Sequence, residues 1–409
     1  MTALSPQEAK VCRLIERRAA ALLDDLRLHV GLPTGGRNVA GLDESRERLA
    51  SRAKALGASF DLIPGTPRPG WLFGESPGLS PLPTAVCRRL VPGAGRELLI
   101  AGHLDTVHDP TSSFRELTLD ASGRTATGPG CVDMKGGLVI ALAALEALEE
   151  AGERLPWTLL LNADEETGSY HSHDAIFTEA ARVSASGGLG IALEPATADG
   201  GLVVERAGSA QFMIQCRGRA AHVGRDFAAG VSAVNALARV VIQAERLADP
   251  AAGVIANIGP LQGGTATNVV PDLARAWGNI RFSSPEQARS LAARLASLAQ
   301  TPGLPAGATV EVKSSFGRPA KPKTPDVERF AQLCRSTAEA LGQQLPFATT
   351  AGVCDGNIMQ AAGLTTLDTL GVRGGGLHTP QEWIELPSLV ERCQLLAVVM
   401  LRCQEGVLG

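Results

Sequence analysis

Short apolar runs broken by glycine, proline and acidic turns set the pattern of this chain. Residues 97–101 (Glu-Leu-Leu-Ile-Ala) and 157–161 (Trp-Thr-Leu-Leu-Leu) read as strands of an open α/β sheet. Between them a tight loop, Gly128-Pro129-Gly130-Cys131-Val132-Asp133-Met134-Lys135-Gly136-Gly137, leads into an Ala/Leu-rich stretch at 138–151 that predicts a helix. From about 209 to 316 the pattern changes. A strand-like run at 211–216 is followed by a helical period at 230–247, strands at 254–258 and 273–282, a helix at 285–300 and a strand at 308–312. That β-α-β-β-α-β order is ferredoxin-like. The expectation is an α/β protein whose mixed-sheet catalytic domain, 1–207 plus 317–409, is interrupted by an inserted ferredoxin-like α+β domain at 208–316.

A length of 409 residues agrees with about two domains. The net charge of −4 offers no electrostatic footprint for nucleic acid or an anionic membrane, which favours a small-molecule substrate. No apolar run reaches the roughly 18–20 residues of a spanning helix. The opening Met1-Thr2-Ala3-Leu4-Ser5-Pro6 leads into a charged amphipathic segment rather than an apolar signal core. Eight scattered cysteines show no paired spacing, so a reducing cytoplasm is expected. Cys131 and Cys354 are read as small buried hydrophobes.

The chemistry enters with four polar segments and one late histidine. His103 and the pair Glu165-Glu166 stand just past the carboxyl ends of the two strand-like runs, the edge where open α/β sheets bind ligands. Asp133 sits in the glycine-rich loop, near the positive end of the following helix. Taken alone, Asp133 reads as a helix cap and Glu165-Glu166 as an exposed acidic turn. Together with Glu194 and His378 they make about five histidine and carboxylate ligands. Such a set suits two cations roughly 3.5–4 Å apart that share one carboxylate. Zn²⁺ fits these donors, and Co²⁺ or Mn²⁺ accept the same ones.

With its motifs in place, the chain resembles the dinuclear zinc family of glutamate carboxypeptidase, aminoacylase, acetylornithine deacetylase and succinyl-diaminopimelate desuccinylase. The matching segments are Gly-His-Leu-Asp-Thr-Val (102–107), the loop 128–137, Asp-Glu-Glu-Thr-Gly-Ser (164–169), Glu-Pro (194–195), Ala-His-Val-Gly (221–224) and Gly-Gly-Gly-Leu-His-Thr-Pro (374–380). Asp355-Gly356-Asn357 and the triple glycine resemble the glutamate carboxypeptidase branch in particular. The resemblance implies that Asp133 bridges two metal ions, with His103 and Glu194 on one and Glu166 and His378 on the other. It implies Glu165 as general base and Asp105 as the residue orienting His103. It also implies a homodimer through the inserted domain, with His222 stabilising the oxyanion from the partner subunit.

Asn268 and Arg281 are the implied substrate contacts, the arginine suiting a carboxylate. Arg373 and the backbone of Gly374, Gly375 and Gly376 are further candidates to cradle substrate. His171, His173 and His108 are read as solvated. The glutamate at 194 accompanies carboxypeptidases and deacylases in this family, where an aspartate accompanies aminopeptidases. Glutamate carboxypeptidase carries a lysine shortly after Glu-Pro; residues 198–202 here have none, and Arg206 is the nearest cation, so glutamate specificity is not implied. The expected reaction is hydrolysis of an amide in a peptide or N-acyl amino acid, releasing an amino acid with a free carboxylate. The alternatives are an N-carbamoyl or other C–N amidohydrolase on the same scaffold, and a binding protein without turnover.

Overall fold

The computed structural model describes residues 3–74, 80–93 and 95–404; Met1 and Thr2 of the amphipathic opening lie outside them. Six strands form the main sheet in the order Ser59–Ile63, Thr84–Arg89, Trp157–Asn162, Leu98–His103, Leu189–Ala192 and Thr366–Leu367. The first two pairings are antiparallel and the last three parallel. Residues Leu98–His103, Trp157–Asn162 and Leu189–Ala192 are buried throughout, which explains why they read as unbroken apolar runs: helices cover both faces.

On one face lies the helix Lys135–Ala151, packed against Pro387–Arg402 and Pro6–Arg17 in the largest apolar cluster. On the other lie His173–Ala185 and Asp355–Ala361. The helix at 135 begins three residues before the stretch predicted. Gly136-Gly137 makes that start possible, because a Cβ at Gly137 would stand 2.4 Å from the Leu193 carbonyl oxygen. The close approach presses the helix against the segment that delivers Glu194.

The ferredoxin-like unit is present. Its antiparallel sheet runs in the order Thr309–Arg318, Gly208–Arg217, Leu273–Phe282, Ile255–Gly263. Helices Ala233–Ala244 and Pro285–Ser297 cover one face, packing on Ala210, Phe212, Ile214, Ile280 and Phe282. Strand alternation turns Ser209, Gln211, Asn279 and Arg281 to the other face, where they line a cleft. The chain enters and leaves this unit side by side: Arg206 and Lys321 exchange backbone hydrogen bonds of 2.9 and 3.0 Å. Both side chains converge on Asp368, at 2.8 and 3.3 Å, and Asp368 and Lys321 are fully buried.

A small four-stranded sheet finishes the site. Trp383–Glu385 pairs with Gly374–Gly375 on one side and with Thr125–Thr127 on the other. The loop 376–382, carrying His378, is thereby held against the loop of Asp133. No helix among the described residues is long and apolar enough to cross a membrane.

Candidate metal centre and cleft

Donors from three strand ends and two loops meet at the carboxyl edge of the main sheet. His103 is the last residue of its strand, Glu165 and Glu166 follow Asn162 in a short 3-10 turn, and Glu194 follows Ala192. His103, Asp133 and Glu166 offer ligand atoms all within 4.8 Å of one another. Asp133 faces an imidazole with each oxygen: Oδ1 lies 3.3 Å from His103 Nε2 and Oδ2 3.5 Å from His378 Nε2. His378 Nε2 is also 3.2 Å from Glu166 Oε2. Asp133 does not cap the helix, since the residue before the first turn is Met134 and no side-chain cap bond forms.

The electrostatics call for positive charge. Burial works to lower the His103 pKa, but contact with the carboxylates of Asp105 and Asp133 raises it well above the ordinary range. Contacts with Asp133 and then Glu166 raise His378 to about 10. Burial opposes ionisation of Asp133, yet the two imidazoles hold its pKa below the usual carboxylate value. Burial, with the nearby charges of Glu165 and Asp133, pushes Glu194 well up, and its buried Oε1 has no hydrogen-bond partner. A buried carboxylate oxygen without a donor, near the His103 imidazole and the carboxylates of Asp133 and Glu165, fits a divalent cation.

Asp105 has a fuller role than the sequence predicts. His103 Nδ1 lies 2.9 Å from its backbone carbonyl and 3.5 Å from its carboxylate. The carboxylate itself accepts the amides of Glu165 and Glu166 at 3.2 and 3.0 Å, so Asp105 ties the imidazole to the acidic turn. Asp164 braces that turn from the far side, accepting the His171 amide and the Ser172 hydroxyl, both at 2.6 Å. Burial raises the Asp164 pKa to about 6.

Glu165, Glu166 and His378 open onto a cleft of about 670 Å³ also lined by Arg281, Arg318, Arg68 and Tyr170. Burial raises the Glu165 pKa to about 7, against the lowering influence of Arg318 and His103. Arg281 is among the residues lining the cleft, and its buried Nη1 has no hydrogen-bond partner. Three candidates are elsewhere. His222 is exposed in a two-residue ribbon paired with Val269, and Asn268 lies beside it, its carbonyl accepting the Val223 amide. Gly375 pairs with Trp383. None of the three is among the residues lining the cleft.

Several expectations are corrected. Arg373 is bound to Glu385 at 2.7 Å and Glu391 at 2.5 Å, which removes it from substrate. His171 is buried, its Nδ1 2.8 Å from the Thr66 carbonyl and its Nε2 3.2 Å from Arg37. His108 is also partnered, with Nε2 2.6 Å from Glu382. His173 is more exposed, as expected. Cys131 and Cys354 are buried, and all eight cysteines are unpaired.

Two residues escaped the sequence reading. Glu382 accepts the amides of Gly130, Val132 and Asp133 at 2.9, 2.9 and 3.0 Å, and so fixes the loop that presents Asp133. Arg318 reaches from the inserted unit to Glu165, with Nη1 2.6 Å from Oε1. Their one sequence mark is a charge next to a recognisable motif or strand, which many surface residues share.

A metal-ligand cluster at the carboxyl edge of a mixed sheet, facing a ferredoxin-like unit across a cleft, defines the class: a metal-dependent hydrolase of peptide or amide bonds. The chain belongs to Peptidase family M20/M25/M40, whose model matches residues 99–402. It is 25% identical over 394 residues to carboxypeptidase G2 of Pseudomonas sp. (strain RS-16), an alignment covering 94% of this chain and 90% of that one. Its fold is similar to that of the M20 family metallo-carboxypeptidase Sso-CP2 from Sulfolobus solfataricus, with a TM-score of 0.67, 16% identity and coverage of 93% and 98%. The YXEP protein of Bacillus subtilis, a dinuclear metal binding peptidase, is similar with a TM-score of 0.64, 15% identity and coverage of 95% and 99%.

Proposed function

We propose that this hydrolase cleaves an amide whose released half is an amino acid with a free carboxylate, as a carboxypeptidase or N-acyl amino acid deacylase. The observation that carries the reading is Arg281, a partly buried cation with a partnerless Nη1, in the same cleft as Glu165 and the donor cluster. A guanidinium so placed matches a carboxylate.

Asp133 would hold two divalent ions between His103 and Glu194 on one side and Glu166 and His378 on the other. Bound there, they supply Lewis-acid polarisation of the scissile carbonyl and acidify a water. Glu165 is the base that receives the proton of the attacking water and returns it to the leaving nitrogen; a carboxylate raised to about 7 suits both directions of transfer near neutrality. Asp105 and Asp164 hold its turn.

His222 and Asn268 complete the site from a second copy of the chain. Supporting this, the inserted unit exposes Ile242, Ile255 and Leu261 at 60%, 54% and 57% on a helix and an edge strand, an apolar surface suited to self-association. The inserted unit starts at about 208, and the end expected at 316 falls two residues short of its last strand, Thr309–Arg318. The unpaired cysteines support a cytoplasmic location.

The test is a panel of N-acetyl amino acids, N-carbamoyl amino acids and dipeptides, assayed with metal-loaded wild type and Glu165→Gln. Turnover of acyl or peptide substrates that falls at least about 100-fold in the variant, at equal metal content, supports the reading. Turnover confined to N-carbamoyl substrates would replace it with the alternative amidohydrolase, and full activity in Glu165→Gln would remove the base.

A further inference from the structure

We propose that Arg318 is a positioning residue for Glu165, and that it makes the placement of the base depend on the inserted unit; this rests on Glu165 being the base. Arg318 is the last residue of the strand Thr309–Arg318, yet its guanidinium lies in the catalytic half of the protein. Nη1 meets Glu165 Oε1 at 2.6 Å. Nη2 donates to the Glu165 backbone carbonyl at 2.8 Å and to the Ser169 hydroxyl at 2.7 Å. One side chain therefore grips the glutamate at both its carboxylate and its main chain. A planar fork holding two sites on one residue fixes a rotamer in a way a point charge cannot.

The sheet shows how Arg318 comes to face the cleft. Ser315 pairs with Gln211, and the next partners are Arg318 and Ser209. Between these pairs one residue of the central strand, Ala210, faces two of the edge strand, Phe316 and Gly317, which is a β-bulge. Without the extra residue, Gly317 would stand opposite Ser209 and Arg318 would turn to the helix-covered face. Phe316 shows where that face leads, packing against Phe282 with ring centroids 5.6 Å apart. Phe316 keeps its place in the core, and the bulge turns the cation two residues on across to the base.

Arg281 and Arg318 flank Ser209 on the two neighbouring strands, but their surroundings differ. Arg281 keeps a partnerless terminal nitrogen in the cleft, whereas both terminal nitrogens of Arg318 are engaged, by Glu165, Ser169 and the Val353 carbonyl, and only its inner Nε lacks a partner. The structure assigns substrate recognition to the first and orientation of the base to the second. Three residues beyond Arg318 lies Lys321, at the paired crossing clamped by Asp368. A rotation of the inserted unit about that crossing moves the Arg318 fork, and with it Glu165.

The experiment compares Arg318→Met, Arg318→Lys, Glu165→Gln and the double variant Glu165→Gln/Arg318→Met, with metal content measured for each. Kinetics use whichever N-acetyl amino acid or dipeptide of the panel the wild type turns over fastest. Arg318→Met is expected to lower kcat about 100-fold, the scale of a misplaced catalytic group, with KM changed less than about threefold. Arg318→Lys recovers part of the loss, and adding Arg318→Met to Glu165→Gln lowers kcat no further. A raised KM at unchanged kcat, or effects that multiply in the double variant, would overturn the proposal, because Arg318 would then act on substrate or independently of Glu165. Full activity in Glu165→Gln would instead overturn the reading of the base. If no panel substrate is turned over, crystals of metal-loaded Arg318→Met decide: Glu165 displaced supports the proposal, Glu165 unmoved refutes it.

Discussion

Glu382→Ala removes the anion that shapes the Asp133 loop. In the intact protein Oε1 accepts the Val132 and Asp133 amides, while Oε2 accepts the Gly130 amide and faces His108 Nε2. The side chain is 1% exposed, so three backbone donors lose a buried, charged acceptor. Stranding a buried donor costs about 1–3 kcal/mol, which gives about 3–9 kcal/mol for three. Water entering the space left by the carboxylate recovers part of this, and about 3–5 kcal/mol of stability should be lost. Glu382→Gln separates charge from shape. Its amide oxygen at the Oε1 position still serves Val132 and Asp133, while its nitrogen opposes the Gly130 N–H, so about half the loss is expected. With Asp133 as the proposed shared ligand, metal affinity should fall about 10–100-fold in the alanine variant. Denaturant unfolding of metal-free protein measures the first effect, and titration against a competing chelator the second. An alanine variant with wild-type stability and metal affinity, or a glutamine variant as damaged as the alanine one, would refute the reasoning.

Asp368→Ala strands the buried cations Arg206 and Lys321 and should cost about 3–5 kcal/mol in denaturant unfolding; a change under about 1 kcal/mol would show that the clamp carries no net stabilisation. His29 is buried, and burial, with the charges of Arg52 and Lys135, lowers its pKa from 6.5 to about 4. Its neutral form belongs to the folded state, so its contribution is complete above about pH 6.5 and is lost as pH falls toward 4, a change of about 3 kcal/mol. The difference between wild type and His29→Gln in unfolding free energy at pH 7 and pH 4 measures it, and equal pH slopes would refute it. Exhaustive chelation should abolish turnover and lower the melting temperature, with both restored by Zn²⁺, Co²⁺ or Mn²⁺; at a metal concentration 100-fold above Kd the stabilisation is about 2.7 kcal/mol. Activity that survives with no detectable metal would remove the ions from the mechanism.

What was legible in the sequence followed from local pattern. The strand predicted at 273–282 is Leu273–Phe282, because alternation and turn residues bound it on both sides. His103, Asp133, Glu166, Glu194 and His378 were legible as candidate ligands only as a set, since alone Asp133 reads as a helix cap and the acidic pair as an exposed turn. Arg318 was not, since one bulge residue reverses which face it occupies, and the strand pattern read only 308–312 of a strand that continues to 318. Glu382 and His108 meet across 274 positions of sequence, so nothing local to either marks the pair. His171 failed for a related reason: a histidine in a polar turn looks solvated until the Thr66 and Arg37 segments close over it. His222 and Asn268 lie away from the cleft, on a two-residue ribbon and the turn beside it, so the motif that marks them in the sequence does not fix where the fold puts them.

The paired crossing at Arg206 and Lys321 also bears on how such a protein is assembled from parts. About a hundred residues are spliced into the catalytic half through two neighbouring strands that leave the host side by side, joined to each other before they part. An insertion with adjacent ends disturbs its host little, and the host fold can close beneath it as though a short turn stood there. The inserted unit can therefore lengthen or shrink away from the crossing without refolding its host, while the short stretch from Arg318 to Lys321, which touches both Glu165 and Asp368, is the part that has to stay as it is.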